Sequence, residues 1–310
     1  MIELLVHTPL RGNGGVIRSP GMDLHALLVH SLDERWQTYC TELQRCQTRC
    51  SERAVHDLRV ASRRLISTID IVLTVTADDR LRKARQNLRK RFKMLGALRD
   101  LQVQRKRIEA MRQAYPELEA FFAVLLLREK RLLKQIDTEL KSVRIGPMGV
   151  RIGESAEGLG TLLRNPSVDR AARSAVVGAV AASFARAVDL RGKIEPAHTA
   201  TIHRLRIAFK KFRYQVEALQ PLLVGMSERR LKAMNAYQVK MGNIQDNEVL
   251  AASLNAYALR RRRPSRENLL RVHQELSRQH GELVEVFMQS ADELYTFWDS
   301  GPKATTRLAV

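Results

Sequence analysis

The amino-acid sequence predicts an all-α protein, a tandem repeat of two four-helix bundles with a basic groove or pore between them. From Met22 to Leu140 the chain is almost free of Gly and Pro and rich in Leu, Arg, Glu, Gln and Ala, residues that favour helix. Its apolar residues recur at three- and four-residue spacing, and no window sustains the period-two alternation of a strand. The two halves also repeat one pattern. Val55-His56-Asp57-Leu58-Arg59-Val60-Ala61-Ser62-Arg63-Arg64-Leu65 lies over Ile202-His203-Arg204-Leu205-Arg206-Ile207-Ala208-Phe209-Lys210-Lys211-Phe212 at a shift of 147 residues. Gly96-Ala97-Leu98-Arg99-Asp100 lies over Gly242-Asn243-Ile244-Gln245-Asp246 at 146, and Pro116 and Pro264 stand 148 apart. Three landmarks agreeing to within one residue define a repeated helical unit.

The elements follow in order. Residues 1–21 are an N-terminal extension, and residues 22–141 the first four-helix repeat, with helices over about 22–49, 52–75, 79–114 and 116–141. Ser51 and Asp78 are placed to cap the second and third of these, and Tyr115-Pro116-Glu117 puts Pro in a first turn with an acid behind it. Residues 142–168 hold Gly146, Pro147, Gly149, Gly153, Gly158, Gly160 and Asn165-Pro166, a composition that breaks helices and reads as a linker. The second four-helix repeat is expected over 169–298, with helices over about 169–191, 196–219, 227–260 and 264–298, followed by a tail at 299–310. Residues 22–298 together make one domain.

With 310 residues, 45% of them hydrophobic, the chain can bury a core, which excludes disorder. Its 53 Lys and Arg against 33 Asp and Glu leave a net charge of +20, an excess that calls for a polyanionic partner. Only 5% of the residues are aromatic, which weakens a reading based on stacked bases and leaves phosphate as the group to be held. Cys40, Cys46 and Cys50 cluster on one predicted helix. That is neither a disulfide framework nor a zinc spacing, and it indicates a reducing, cytoplasmic setting. The start, Met1 to His7, carries an acid where a signal peptide needs positive charge. The most apolar internal stretch, Ala175 to Ala185, stops at Arg186, short of the ~18 residues of a spanning helix. Neither secretion nor a membrane span is expected.

At about 100° per residue, His56, Arg59 and Arg63 share a narrow sector of their helix, with Leu58, Ala61, Leu65, Ile69 and Val72 opposite. His203, Arg206 and Lys210 repeat the arrangement above Leu205, Ala208, Phe212 and Val216, and Arg64 and Lys211 flank the two rows. At ~1.5 Å rise per residue each row spans roughly 10 Å, enough to follow several linked phosphates. Arg offers a planar fork for them and Lys a compact charge. The third helix carries Arg82, Lys83, Arg85, Arg89, Lys90, Arg91 and Lys93, whose like-charge i, i+4 pairs disfavour the helix until an anion relieves them. Its counterpart is sparser, with Asn235 opposite Arg89 and Val239 opposite Lys93, so the halves contribute unequally.

The plainer readings are solvated helix faces and structural ion pairs. Recurrence of His and cations at the same four positions in both halves favours a site over either. A metal site built on His56 and Asp57 is disfavoured, because the second copy has Arg204 after its histidine and no carboxylates converge at ligand spacing. Asp100 and Asp246 orient neighbouring cations or satisfy buried polar groups. Gly96 and Gly242 allow close helix approach, since mid-helix Gly costs about 1 kcal/mol against Ala. The block Arg260-Arg261-Arg262-Arg263 suits a solvated helix end.

These motifs resemble the CHAD family, an α-helical domain named for its histidines. The resemblance runs from about Asp23 to Trp298. It is carried by VHDLRVASRR at Val55–Arg64, LGALRDLQV at Leu95–Val103, IHRLRIAFKKFRY at Ile202–Tyr214 and MGNIQDNEV at Met241–Val249. It implies two four-helix bundles around a basic cavity that binds inorganic polyphosphate without catalysis, and association with polyphosphate granules. Carried onto this chain, the binding residues are His56, Arg59, Arg63, Arg64, His203, Arg206, Lys210, Lys211 and Arg213. Arg89, Lys93 and Lys240, from the third helices, are added to them. Residues 1–20 leave no room for the triphosphate-tunnel enzyme domain that sometimes precedes this one, so a coupled hydrolase is not expected. The expected partners are inorganic polyphosphate and granule-associated proteins, with no cofactor, metal or membrane. The rivals are a backbone-directed nucleic-acid-binding protein, an enzyme of polyphosphate metabolism, and a granule scaffold. Protonation of the motif histidines predicts tighter binding at mildly acidic pH.

Overall fold

The computed structural model describes residues 24–223, 225–260 and 266–298. The expected extension (1–21), the tail (299–310) and the side chains of the Arg260–Arg263 block lie outside them. The helices are α1 (Leu24–Thr48), α2 (Glu52–Val75), α3 (Asp79–Met111), α4 (Glu119–Lys141), α5 (Gly146–Leu163), α6 (Pro166–Arg191), α7 (Ala200–Leu219), α8 (Glu228–Arg260) and α9 (Arg266–Gln289). Short 3₁₀ turns stand at Pro116–Leu118, Gln220–Leu222 and Ala291–Thr296.

The helix starts have local causes. Ser51 Oγ accepts from the Ala54 amide at 3.2 Å, and the Asp78 carboxylate accepts from the amides of Arg80 and Leu81, which satisfies donors that a first turn leaves open. α6 begins before the expected residue 169, because Asn165 Oδ1 accepts from the Ser167 amide and Pro166 occupies a position that needs no N–H.

The segment expected as a linker over 142–168 contains α5. Counting helix breakers missed a periodic stripe, Met148, Ile152, Ser155, Leu159 and Leu163, that is buried against α1 and α3. Two of its glycines are contact points with α1. A Cβ at Gly149 would stand 3.2 Å from Trp36 Cζ2, and one at Gly160 2.7 Å from His25 Nε2. The absence of side chains there lets the helices approach, and burial of the stripe offsets the intrinsic cost of Gly in a helix.

Helices α1 to α4 pack as sequential neighbours, as do α6 to α9, and α2 lies against both α6 and α7. One buried core runs through both halves, from Leu58, Leu65 and Leu88 to Phe209, Phe212 and Tyr237. α9 ends at Gln289 instead of continuing to 298, and the 3₁₀ turn after it carries Phe297 and Trp298 into this core. Their rings lie 5.7 Å from Phe209 and 5.9 Å from Phe212, respectively. α6 is long and apolar enough to cross a membrane by length and composition, with mean hydropathy 1.3. It buries Val176, Val180, Phe184 and Ala187 in the shared core. A second core lies at the far ends of the α3–α4 and α8–α9 hairpins, where Ile108, Phe121 and Leu125 meet Leu250, Leu254, Tyr257 and Leu269. Between the two cores the helices present polar residues to one another, among them buried Gln102, Gln104 and Asn247.

Candidate anion-binding seam

The repeated rows meet along this polar seam. On α2, Arg59 Nη1 donates to the Phe92 carbonyl at 3.3 Å, and its guanidinium lies 4.7 Å from the Phe92 ring centre. Arg63 lies 5.2 Å from the same ring and 5.1 Å from that of Tyr214, to whose hydroxyl it donates. Arg206 and Lys210 approach from α7. The repeat is also a repeat of geometry: a Cβ at Gly96 would stand 3.0 Å from Arg59 Nη1, and one at Gly242 3.7 Å from Arg206 Nε and Nη2. Gly96 thus leaves the space that Arg59 takes, whereas at Gly242 a side chain would meet Arg206 at ordinary contact distance.

The electrostatics follow from crowding. Burial, reinforced by Arg63, Arg206, Arg59 and Arg213, pushes the Lys210 ammonium down from 10.5 to about 7. Burial and Arg63 bring Arg59 down to about 10, and burial lowers Arg206, with partial relief from Asp246. Burial raises the Asp246 carboxyl against the pull of Arg206. The charges of Asp100 at Arg59 and of Asp246 at Arg206 offset part of this lowering without reversing it. Arg206 Nε and His203 Nδ1 are buried without a hydrogen-bond partner among the described residues, a cost of about 1–3 kcal/mol for each such group.

The other expected site residues are distributed around this centre. Arg89 and Lys211 line a cleft between α2, α3, α6 and α7. Arg64 is paired across the seam to Glu217 at 2.7 Å. Buried Arg213 bonds Glu217 at 3.3 Å and Gln238 at 3.0 Å, and its guanidinium lies 4.2 Å from the Tyr214 ring centre. Lys240 is paired to Glu293 at 3.1 Å, and Lys93 is exposed on α3. His56 is exposed in a recess with Glu52, Arg53, Arg99 and Lys106. Partial burial and the Arg99 charge lower its pKa, so it gains its proton at a lower pH than an ordinary histidine. The like-charge strain of α3 is eased internally, since Asp70 of α2 pairs with Arg85 and, at 3.5 Å, with Arg89.

Phe92, Tyr214, Arg99 and Arg107 also belong to the seam, although none of them stands at a repeated cation position. Phe92 packs partly buried against the shared core, and only the fold puts two guanidiniums on its ring. Arg107 donates to Gln279 of α9 at 3.0 Å and lines a pocket with Asp246. Among the described residues no group of three or more His, Cys, Asp or Glu is placed to hold a metal ion.

Comparison with solved structures finds proteins of the same fold. The CHAD domain from the plant Ricinus communis is similar with a TM-score of 0.64 and 17% identity, over 95% of this chain and 98% of that one. PptA from Streptomyces chartreusis is similar with a TM-score of 0.58 and 18% identity, over 88% of this chain and 99% of that one. No curated protein matches. The CHAD domain family model matches residues 32–255, a span that includes both motif helices and both motif glycines; the chain belongs to the CHAD domain family.

Proposed function

We propose that the chain binds inorganic polyphosphate without turning it over, and that this binding localises it to polyphosphate granules in the cytoplasm. The observation that carries the reading is the convergence of Arg59 and Arg63 with Arg206 and Lys210 across the seam, crowded enough to bring Lys210 to about 7. Such a row is held at a cost in the free protein, and a string of phosphates relieves it along its length. Affinity then comes mostly from counterion release, with a log–log salt slope of about −0.7 per phosphate neutralised, taking single-stranded nucleic acid as the guide.

Nucleic acid offers the same phosphate chemistry, but its bases find no platform here. The Phe92 and Tyr214 rings are taken by guanidiniums, which leaves backbone contact alone. Competition tests the ranking: excess long-chain polyphosphate displaces labelled RNA from the protein, and failure to displace it reverses the order. On this reading, incubation with polyphosphate should release no phosphate. Release that survives purification and is lost on changing His56 or His203 would make the protein an enzyme instead.

A further inference from the structure

The seam has two unlike faces. On one, α2, α3, α6 and α7 enclose a cleft of about 850 Å³ lined by Arg63, Arg82, Arg85, Arg89, Arg186 and Lys211, with Asp70 as its carboxylate. Asp70 is engaged by Arg85 and Arg89. Arg82 and Arg186 pair with Asp79 at 2.6 Å and Asp189 at 2.8 Å, exposed contacts one helical turn away on their own helices, and such pairs are worth no more than about 1 kcal/mol. Lys211 has no ion-pair partner among the described residues. The wall between these cations adds no second acid and includes the small side chains of Ala179, Ala182 and Ala208, so it leaves room for an extended polyanion.

The equivalent positions on the other face are closed. At the repeat shift of 147, Lys211 corresponds to Arg64 and Asp70 to Glu217. There the cross-seam pair is made: Glu217 accepts from Arg64 at 2.7 Å and from Arg213 at 3.3 Å, and Arg213 also donates to Gln238 at 3.0 Å. On the cleft face the corresponding acid is taken by α3, and Lys211 stays open to the cleft. Asn235, opposite Arg89 in the repeat, offers no charge to draw Glu217 away. We infer that the phosphate path is one-sided. A run of condensed phosphates held at the centre by Arg59, Arg63, Arg206 and Lys210 leaves through the α2/α3/α6/α7 cleft, where Arg85, Arg89, Arg186 and Lys211 take its next phosphates. It does not leave past Glu217. Arg63 belongs to both stretches and joins them.

This inference rests on the polyphosphate reading of the central row, and the test separates the two. Long-chain polyphosphate is titrated at fixed salt into the native chain, Lys211→Gln, Arg64→Gln, Ala182→Glu, and Arg59→Ala with Arg206→Ala. Lys211 and Ala182 are exposed, so their variants melt with the native chain. Lys211→Gln weakens binding about tenfold and Arg64→Gln by no more than about threefold. Ala182→Glu, which adds an acid to the cleft wall and removes no cation, weakens it by tenfold or more. Equal losses for Lys211→Gln and Arg64→Gln, or an Ala182→Glu variant that binds like the native chain, overturn one-sidedness while leaving the central row intact. Native-like binding by the Arg59→Ala, Arg206→Ala variant overturns the reading beneath it.

Discussion

At Lys210, burial and the guanidiniums of Arg63, Arg206 and Arg59 act in the same direction, and the sign of the pH dependence follows. With a folded value near 7 against 10.5 for the ordinary side chain, the folded free protein holds fewer protons than the unfolded chain between those limits. This group therefore makes the free protein more stable as pH rises through that window. Anion binding works the other way, because it requires the charged ammonium. Affinity for polyphosphate should fall by up to about tenfold per pH unit above 7, and Lys210→Met should abolish that slope in a titration series across pH 6 to 9. The histidines were expected to carry this dependence, but the lowered value of His56 moves its part to more acid conditions. The motif glycines make a second test. Gly96→Ala brings a methyl to 3.0 Å from an Arg59 already held by the Phe92 carbonyl, so it should weaken binding. Gly242→Ala meets Arg206 at an ordinary 3.7 Å and should raise stability by about 0.5–1 kcal/mol in denaturant melts with binding unchanged.

At the scale of elements, capping chemistry made the starts of α2 and α3 legible, since Ser51 and Asp78 bond the amides they precede, whereas the Asn165 cap of α6 was hidden in a stretch rich in helix breakers. α5 was not legible by the same logic. Its glycines signal a break locally, and only the position of Trp36 and His25 on α1 shows that a side chain there would collide. Gly149→Leu should therefore overpack the α1–α5 contact and cost about 1–3 kcal/mol, read as a lower midpoint in urea. The site divides in the same way. The repeat spacing singled out Arg59, Arg63, Arg206 and Lys210 but could not separate them from Arg64, and the family resemblance added Arg213, which lies over Ile66 in the repeat. The acid that occupies those two, Glu217, lies one turn from Arg213 on α7 and 153 residues from Arg64. Both side chains pair with Glu217 in the free protein. The basic run of α3 was visible, whereas its neutralising neighbour Asp70 on α2 became visible only with the fold.

Taken as a whole, the molecule is two copies of one motif joined by a common core. Because buried residues run without interruption from α1 through α8, the chain should unfold in one cooperative calorimetric transition. Two resolved transitions would mean that the halves fold separately. The second core holds the far ends of the hairpins, with Phe121 fully buried and its ring 5.0 Å from that of Tyr257. Phe121→Ala should cost about 3–5 kcal/mol. Between these cores lies the seam proposed to bind polyphosphate, to which each half contributes one motif arginine, Arg59 and Arg206. The direct measurement is titration with polyphosphate of defined length, native chain against Arg59→Ala with Arg206→Ala, repeated at several salt concentrations. Losing two charge-assisted contacts, each worth about 1.5–3 kcal/mol, predicts a drop in affinity of about 100-fold or more with a shallower salt slope. Equal affinity and equal slope for the two proteins would contradict it.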